Sequence, residues 1–387
     1  LPAESLCELA GEKLSRKAET FREAAVSSIR QGVEMRPACQ VTVPDRGETG
    51  AWYLSGNQAA GLGALEMGIR FVAAYPITPA SDVLEWMAGG LESVGGELVQ
   101  AEDELAAINM AIGAAFGGVP AFTATSGPGL ALMSESVGLA VASETPVTIL
   151  NVMRGGPSTG IPTKSEQSDL NIALYGLHGD APHLVLAPLD IADCVFTTGW
   201  AVNLAQQLQT PAIVLSDQFI GQSTAAVSEP RRWQPIELAA EVATEPADYL
   251  RYRMMANGVS TLAAPGDANR RFTADGLEHN EKGTPSAKHS DHQQQLQKRE
   301  QKLLQAEYGD DWAKRGGDGC IALLCFGSSS AAGAESADLL AERGLGARVI
   351  ALRLLAPLMS SALALALEGA SDVVVVEQNH GAQLFHY

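Results

Sequence analysis

The sequence predicts an α/β fold in which parallel sheets carry helices on both faces. Short β-branched runs alternate with Ala- and Gly-rich helical stretches from residue 51 to residue 228, and the alternation returns from residue 319. Strands that alternate with helices of this length are typical of βαβ units and parallel sheets. We therefore expect one α/β domain over 51–228 and a second, smaller one over 319–387. The polar stretch 229–318 is expected to be a connector.

Each element of the first domain follows from its local pattern of apolar and polar residues. Five short apolar runs predict strands at Phe71–Tyr75, Ala121–Thr125, Val147–Val152, Leu184–Ala187 and Ala212–Ser216. The stretches between them predict helices at 59–69, 81–93, 104–117, 130–142 and 190–207.

The chain after residue 228 is predicted to contain fewer helices and strands. The connector is rich in Gln, Lys, Arg, Asp and His and predicts a single helix near 291–307. The second domain predicts strands near 320–326, 347–352 and 372–377, with helices near 331–343 and 360–369.

Residues 1–50 stand apart from both domains. Apolar residues between Leu6 and Ile29 recur near helical spacing and predict one amphipathic helix. Pro37, Pro44 and Gly47 then predict an extended linker. The chain begins at Leu1 rather than Met and stops soon after its last predicted strand. We therefore expect a piece of a longer protein, with a preceding domain joined by this helical linker and a second domain that is cut short.

Composition excludes several classes of function. The 387 residues contain 26 Lys and Arg against 45 Asp and Glu, a formal net charge of −19. Nucleic-acid binding needs a basic footprint, so this partner is not expected. No apolar run reaches the roughly 18 residues of a membrane span. Five cysteines in a chain of this length form no disulfide framework, which favours the cytoplasm.

Three strand-to-helix junctions contain unusual residues. In Tyr75-Pro-Ile-Thr-Pro-Ala-Ser81, two prolines fix the backbone around Thr78, and Thr78 or Ser81 could cap the next helix. In Glu102-Asp-Glu104, three acids precede a helix that is apolar all round. Acids are favoured at a helix N-terminus by the dipole alone, but a buried carboxyl there would suit acid–base chemistry.

The third junction follows the strand at 147–152. Arg154 stands at the end of a buried strand, beside Gly155 and Gly156, and the loop runs on to Lys164. The glycines allow another backbone or a ligand to approach closely. Arginine offers a planar fork that matches a carboxylate.

Together these segments resemble 2-oxoacid:ferredoxin oxidoreductases, specifically the alpha subunit of the 2-oxoglutarate type. The resemblance covers roughly residues 51–385. Its motifs are Tyr75-Pro-Ile-Thr-Pro79, Glu102-Asp-Glu-Leu-Ala-Ala107, Thr123-Ala-Thr-Ser-Gly-Pro-Gly129, Arg154-Gly-Gly-Pro-Ser-Thr-Gly160, Gly276-Leu-Glu-His279 and Glu377-Gln-Asn-His-Gly381. The resemblance implies a pyrimidine-binding domain of thiamine diphosphate enzymes, followed by a domain like the C-terminal one of transketolase.

The resemblance also implies roles for individual residues. Thr78 and Arg154 would contact the 2-oxoacid, Arg154 through its carboxylate, while Pro76 and Thr78 would lie at the cofactor. A family carboxylate hydrogen-bonds N1′ of the aminopyrimidine and so promotes ionisation of the thiazolium C2. The spacing of nine positions from Glu104 to the helix glycine Gly113 is the same as in other thiamine pyrimidine domains, and this favours Glu104. Glu102 is the alternative if no residue is inserted in the following turn.

The expected cofactors are divided between two chains. Gly317-Asp318-Gly319 has no Asn after it before Asn379, so the motif for Mg²⁺ and diphosphate is absent. The cysteines do not supply the four ligands of an iron–sulfur cluster. We therefore expect a beta subunit that holds Mg²⁺, diphosphate and a [4Fe–4S] cluster. Thiamine diphosphate would be shared in a dimer of alpha–beta heterodimers, with CoA as co-substrate and ferredoxin as acceptor.

Alternatives remain at this point. The substrate could be pyruvate or a branched-chain 2-oxoacid, with Lys164 a candidate cation for a distal carboxylate. The chain could also belong to a non-oxidative thiamine decarboxylase or transketolase-like enzyme, or be a non-catalytic scaffold subunit. Three features are expected to be structural only: solvated or capping histidines at 279, 289 and 292, a tight turn at 125–129, and core cysteines at 320 and 325.

Overall fold

The computed structural model describes residues 2–35, 50–161, 164–233 and 249–387. Two compact units are present, Leu1–Thr49 and Gly50–Tyr387. The linker predicted around Pro37, Pro44 and Gly47 lies outside the described residues. Among those described, no helix combines the length and the apolar character that a membrane span requires.

After residue 50, the predicted helices and strands occur in the predicted order, and the structure adds short elements that were not predicted. The helices are α1 Ala3–Lys13, α2 Glu19–Met35, α3 Gly56–Glu66, α4 Ser81–Ser93, α5 Glu104–Phe116, α6 Gly127–Ala142, α7 Leu170–Tyr175, α8 Asp193–Leu208, α9 Gln218–Gln222, α10 His289–Leu304, α11 Ser329–Glu342, α12 Ser360–Leu367 and α13 Gln383–His386. The strands are β1 Trp52–Ser55, β2 Phe71–Ala74, β3 Glu97–Gln100, β4 Ala121–Thr125, β5 Thr148–Met153, β6 Leu184–Leu186, β7 Ala212–Asp217, β8 Thr224–Val227, β9 Ala313–Gly316, β10 Ile321–Phe326, β11 Ala347–Leu352, β12 Leu354–Ala356 and β13 Asp372–Val376.

The larger sheet has seven strands in the order β12-β6-β7-β5-β4-β2-β3. All its pairs are parallel except β12 with β6. Its central strands β4, β5 and β7 are buried throughout, as expected for a sheet covered on both faces. Helices α3, α4, α8 and α9 pack together, and α5, α6 and α7 form a second group. The predicted α/β class is confirmed.

A smaller sheet of four strands has the order β13-β10-β11-β9. Strands β10, β11 and β13 are parallel and lie where the apolar runs predict them, while β9 adds an antiparallel edge. Strand β12, which follows β11 directly, joins the larger sheet instead. All of residues 50–387 fall in one compact unit, so the division at 229 and 319 stays a prediction.

The N-terminal unit contains two helices where the spacing predicts one. Helix α1 ends at Lys13 and α2 begins at Glu19, and the two helices pack against each other. The chain leaves α1 through short-range turns, with Ser15 N donating to Glu12 O and Lys17 N to Leu14 O. Such turns satisfy the end of a helix and let the chain reverse. Apolar spacing does not report them, so the single-helix prediction was wrong.

The described part of the polar connector contributes buried residues to the core, among them Tyr252, Lys298 and Lys302. Glu144, just after α6, is fully buried and accepts from Lys298 Nζ at 2.6 Å and from Lys302 Nζ at 3.1 Å. Lys302 also donates to Gln209 O, and Arg251 donates to the backbone oxygen of Glu144. Charged groups of opposite sign thus fasten α10 to the end of α6. Buried charges are found paired in this way because desolvation makes an unpaired one costly.

The pKa values of Glu144 and Lys302 reflect the excess of cations in this cluster, in which three cationic side chains surround one carboxylate. Burial acts to raise the pKa of Glu144, but Lys302, Lys298 and Arg251 outweigh it and hold that pKa far below its usual range. Burial, aided by repulsion from Lys298, lowers the pKa of Lys302 to about 7 despite the attraction of Glu144. The charged form of Glu144 is therefore the firmly held member of the cluster.

Candidate functional site

The loops that follow β2, β4 and β5 meet at one edge of the larger sheet. These strands are parallel neighbours, so their carboxyl ends point to the same edge. The segment of Glu104 follows β3, which lies beside β2. In open parallel sheets, ligands bind where strands end and helices begin. The structure therefore gathers the three predicted motifs at one edge.

Arg154 ties two of these loops together. It follows directly after β5. Its Nη1 donates to the carbonyl oxygen of Thr78 at 2.6 Å, and its Nη2 donates to that of Thr159 at 2.7 Å. Its buried Nε finds no hydrogen-bond partner among the described residues. Each terminal nitrogen keeps a second N–H, so the guanidinium can hold both loops and still donate to a carboxylate.

The loop after Arg154 is closed by its own backbone. Gly155 N donates to Lys164 O at 2.9 Å, and Ile161 N donates to Gly155 O at 2.8 Å. Gly160 has φ +68, and a Cβ there would overlap the carbonyl oxygen of Gly155. Only glycine fits this close approach of two backbones. The compact loop brings the backbone of Lys164 beside that of Gly155, while the Lys164 side chain stays exposed.

Glu104 is the first residue of α5 and is only 6% exposed. The helix is capped by Asp103, whose carboxylate accepts from Ala106 N at 2.7 Å. The Glu104 carboxylate has no hydrogen-bond partner within the described ranges. It lies against α6, because a Cβ on Gly129 would come within 2.8 Å of Glu104 Cγ. Neither of its oxygens is a fully buried atom without a partner, so the carboxylate keeps some contact with solvent and can be reached by a ligand that supplies a donor.

The three acids before α5 thus have different environments. Glu102 is exposed, Asp103 serves as the cap, and Glu104 is buried. Acids at a helix N-terminus can serve the helix alone, and this structural role belongs to Asp103, because its carboxylate satisfies a free N–H of the first turn. Burial distinguishes Glu104 from Glu102 and supports Glu104 as the residue that meets a ligand.

The loop after β2 is open to solvent. Pro76 and Thr78 are both exposed, and the Thr78 carbonyl is the group that Arg154 engages. The capping role predicted for Thr78 or Ser81 was wrong. Ala80 occupies the N-cap position without a side-chain bond, and Ser81 is the first residue of α4. The helix begins there because Ala80 N and Ser81 N both donate to Ile77 O, so a backbone turn replaces the cap.

An open cavity of about 720 Å³ adjoins Arg154. Its walls are the loop after β5, the first turns of α6, the segment before α7 and the loop after β13. Thr78 and Glu104 are not among its described lining residues. The Thr78 carbonyl accepts a hydrogen bond from the lining residue Arg154, and Glu104 lies against α6, whose first turns line the cavity. Sequence reasoning missed several polar residues of this lining, namely Glu166, Ser168, Asp169, Asn379 and His380.

Two of these residues are carboxylates held by protein donors. Glu166 accepts from Gly156 N at 3.0 Å and from Ser168 Oγ at 3.1 Å. Asp169 accepts from Asn151 Nδ2 at 2.9 Å. Burial raises the pKa of Asp169, the bond from Asn151 opposes this, and the neighbouring Glu166 adds to it. The polar run 164–169, directly after a glycine-rich loop, is the signal that could have identified this wall.

The histidines of the connector have structural surroundings. His279 is buried, not solvated or capping as predicted. Its ring centroid lies 3.9 Å from that of Tyr252, and its nitrogens face the carbonyl oxygens of Asn280 and Ala142. His292 pairs with Glu278 at 2.6 Å. The described part of the chain contains no group of three or more His, Cys, Asp or Glu that could hold a metal ion.

The remaining motifs have structural roles, and one prediction about them was wrong. Residues 125–129 form the predicted turn from β4 into α6. Cys325 is buried in β10, as expected, but Cys320 precedes the strand and is exposed. The prediction that Cys320 packs in the core was therefore wrong. Gly317-Asp318-Gly319 forms the connection from β9 to β10.

Comparison with known proteins shows which family and which solved structure the chain is similar to. Residues 62–298 match the family described as pyruvate flavodoxin/ferredoxin oxidoreductase, thiamine diphosphate-binding. The 2-oxoglutarate synthase subunit KorA of Methanothermobacter marburgensis is 35% identical over 87% of this chain and 90% of its own length. Subunit alpha of the 2-oxoacid:ferredoxin oxidoreductase 2 of Aeropyrum pernix is 36% identical over 88% of this chain and 56% of its own.

A solved structure is similar over nearly the whole chain. The 2-oxoglutarate:ferredoxin oxidoreductase from Magnetococcus marinus, with 2-oxoglutarate, coenzyme A and succinyl-CoA bound, superposes with a TM-score of 0.86. The alignment covers 99% of this chain and 68% of that one at 36% identity. The predicted resemblance is confirmed by these matches.

Proposed function

Because this chain belongs to the thiamine diphosphate-binding family of pyruvate flavodoxin/ferredoxin oxidoreductases, we propose that it is the alpha subunit of a 2-oxoacid:ferredoxin oxidoreductase. The proposed reaction converts a 2-oxoacid, CoA and oxidised ferredoxin into acyl-CoA, CO₂ and reduced ferredoxin. One observation carries the proposal: Glu104, a buried residue whose carboxylate has no hydrogen-bond partner among the described residues, lies at the same sheet edge as Arg154.

The residues at this edge fit the pyrimidine half of thiamine diphosphate. The Glu104 carboxylate lacks a donor among the described residues, and an aminopyrimidine nitrogen that carries a proton would supply one. Gly129 lets α6 pack directly against this side chain, because a Cβ there would overlap Thr125 Oγ1 and come within 2.9 Å of Glu104 Oε1. When bound, the cofactor supplies the carbanion chemistry of the decarboxylation. Pro76 and Thr78 are proposed as further cofactor contacts.

The chain's own residues would orient the substrate and move a proton. The Glu104 carboxylate would accept a hydrogen bond from the pyrimidine nitrogen, favour the protonated form of that nitrogen and thereby activate the cofactor. Arg154 would bind the 2-oxoacid carboxylate with its remaining N–H groups, while Thr78 offers a hydroxyl beside it. Because Arg154 is anchored to two loops, little of its side-chain freedom is left to lose on binding.

The rest of the active site is proposed to belong to a beta subunit. The sequence lacks the Asn of the Mg²⁺–diphosphate motif and lacks four closely spaced cysteines. We assign Mg²⁺, diphosphate and the [4Fe–4S] cluster to that subunit, within a dimer of alpha–beta heterodimers. Ferredoxin would dock on the beta subunit, because this chain has a net charge of −19. The cytoplasmic location stays a prediction.

2-Oxoglutarate is the proposed substrate. It is the acid named for the relatives from Methanothermobacter marburgensis and Archaeoglobus fulgidus, 35% and 38% identical to this chain. It is also bound in the similar structure from Magnetococcus marinus. Pyruvate and branched-chain 2-oxoacids remain the alternatives to be tested against it.

The test is CoA-dependent reduction of a viologen dye by the native complex. The complex would contain the partner chain, thiamine diphosphate and Mg²⁺, and would receive 2-oxoglutarate, pyruvate or 2-oxoisovalerate in turn. We expect the fastest reduction with 2-oxoglutarate. Faster reduction with either other acid would change the assigned substrate. A complex that binds thiamine diphosphate but reduces dye with none of them would favour a non-oxidative thiamine enzyme or a scaffold subunit.

Replacing Arg154 with Lys is expected to raise the KM for the 2-oxoacid about 10- to 100-fold. A single ammonium cannot hold the carbonyl oxygens of both Thr78 and Thr159 and also bind a carboxylate through two N–H groups. Steady-state dye reduction measures the effect. Arg70→Lys is the matched control, because Arg70 Nη1 also donates to two backbone carbonyls, those of Leu65 and Ile69, away from the cavity. An unchanged KM in Arg154→Lys would remove Arg154 from the substrate site.

A further inference from the structure

The loop after β13 is fastened to the segment before α7 by a set of hydrogen bonds. Gln167 is fully buried, and its backbone N donates to Gln378 O at 2.7 Å. Gln378 N returns a bond to Gln167 Oε1 at 3.0 Å, and Asn379 Nδ2 donates to Gln167 O. Gln383 bonds Ser168 O with its amide nitrogen and Asn171 N with its amide oxygen. The loop is thus held against the cavity wall.

The same loop contains a backbone conformation that costs energy. Ala382 has φ +48, in the left-handed region that residues with a Cβ rarely adopt. Such a residue costs of the order of 1 kcal/mol or more and persists where its surroundings impose it. Glu377 helps to impose it by accepting from Leu384 N and Phe385 N just beyond the turn. Strain held in this way is common at ligand-binding loops.

This arrangement presents His380 to the cavity that Arg154 lines. His380 is exposed, and its ring has no hydrogen-bond partner in the part of the chain that the structure describes. Of the described lining residues, only Arg154 and His380 can carry positive charge. The two lining acids, Glu166 and Asp169, already accept bonds from protein donors. A second anionic group of a ligand would therefore find its counter-charge at His380.

We propose that His380 determines specificity by donating a ring N–H to the distal carboxylate of 2-oxoglutarate. The inference rests on the proposed function, which assigns the 2-oxo carboxylate to Arg154. Each carboxylate of a dicarboxylate in the cavity would gain from a donor that can carry positive charge, and Arg154 and His380 are the described lining residues that offer one. A monocarboxylic 2-oxoacid has no group for His380 to bind. His380 then distinguishes substrates without taking part in the chemistry.

The test compares 2-oxoglutarate with 2-oxobutyrate, which lacks the distal carboxylate, in the native complex. We expect His380→Gln to raise the KM for 2-oxoglutarate about 10- to 100-fold and to leave the KM for 2-oxobutyrate unchanged. His380→Lys should restore much of the discrimination, because it returns a cation. His386→Gln is the matched control: His386 is exposed in α13 and is not among the described residues that line the cavity.

Several results would overturn the inference. One is an unchanged KM for 2-oxoglutarate in His380→Gln, and another is a parallel rise for both acids, which would mean that His380 only shapes the loop. A selective loss in Lys164→Gln, with His380→Gln unaffected, would transfer the role to Lys164. Wild-type complex that reduces dye with neither acid would overturn the proposed function itself, and this inference with it.

Discussion

Replacing Glu104 with Gln is expected to lower turnover about 100- to 10,000-fold while the fold is retained. The amide has the shape of the carboxylate but cannot hold a negative charge against a protonated pyrimidine nitrogen. The exchange leaves the helix intact, because the cap of α5 is supplied by Asp103 and not by Glu104. CoA-dependent dye reduction measures turnover, and circular dichroism reports whether the fold is kept.

Glu102→Gln provides the control for this experiment. Glu102 stands two positions earlier and is exposed, so the same chemical change there should leave turnover within about twofold of wild type. If Glu102→Gln were the inactive variant and Glu104→Gln the active one, the assignment of the two carboxylates would be reversed. Near-normal activity of both would remove this helix start from the cofactor site.

Replacing Glu144 with Gln is expected to lower the free energy of unfolding by about 3–5 kcal/mol. Lys298 and Lys302 are both buried and would lose their counter-charge, while Arg251 remains close by. The contact between α10 and the end of α6 would then have to bury unpaired ammonium groups or neutralise them. Urea unfolding followed by tryptophan fluorescence measures the loss.

The pH dependence of this loss has a definite sign. In Glu144→Gln the lysines' pKa values in the folded state should fall further below their unfolded value than they do in the wild type. The unfolded variant then binds more protons than the folded one, so its stability rises with pH, and more steeply than that of the wild type. We expect the deficit to be smaller at pH 9 than at pH 7.

A surface pair gives the comparison for Glu144. Asp310→Asn breaks a bridge to Arg315 in which the aspartate side chain is 93% exposed, so the loss should stay below about 1 kcal/mol. A Glu144→Gln variant as stable as Asp310→Asn would show that the buried cluster does not hold α10 to α6.

The sequence predicted the site residues that follow strands. Apolar runs mark β2 and β5, and position alone then puts Thr78 and Arg154 at one sheet edge. Three acids before an apolar helix marked the region of Glu104, but α5 leaves Leu105 and Met110 exposed, so the apolar pattern alone did not determine which acid is buried. In each case the signal lies within a few residues of the site.

The wall formed by the loop after β13 could not be predicted in this way. Gln167 and Gln378 lie 211 residues apart, and neither belongs to a periodic pattern. Glu144 and Lys298 are separated by 154 residues, and Lys298 lies in a segment whose composition indicates a solvated helix. Polar pairs across such distances depend on how the sheets pack, which local spacing does not record.

The central claim is that Glu104 activates thiamine diphosphate, and the exchange of its C2 proton with solvent deuterium tests this most directly. The exchange is measured by NMR after acid quench, in the native complex without a 2-oxoacid, so that binding of substrate does not contribute. We predict fast exchange in wild type and in Glu102→Gln, and exchange slower by about 100-fold or more in Glu104→Gln at equal cofactor occupancy. Exchange in Glu104→Gln as fast as in wild type would contradict the account.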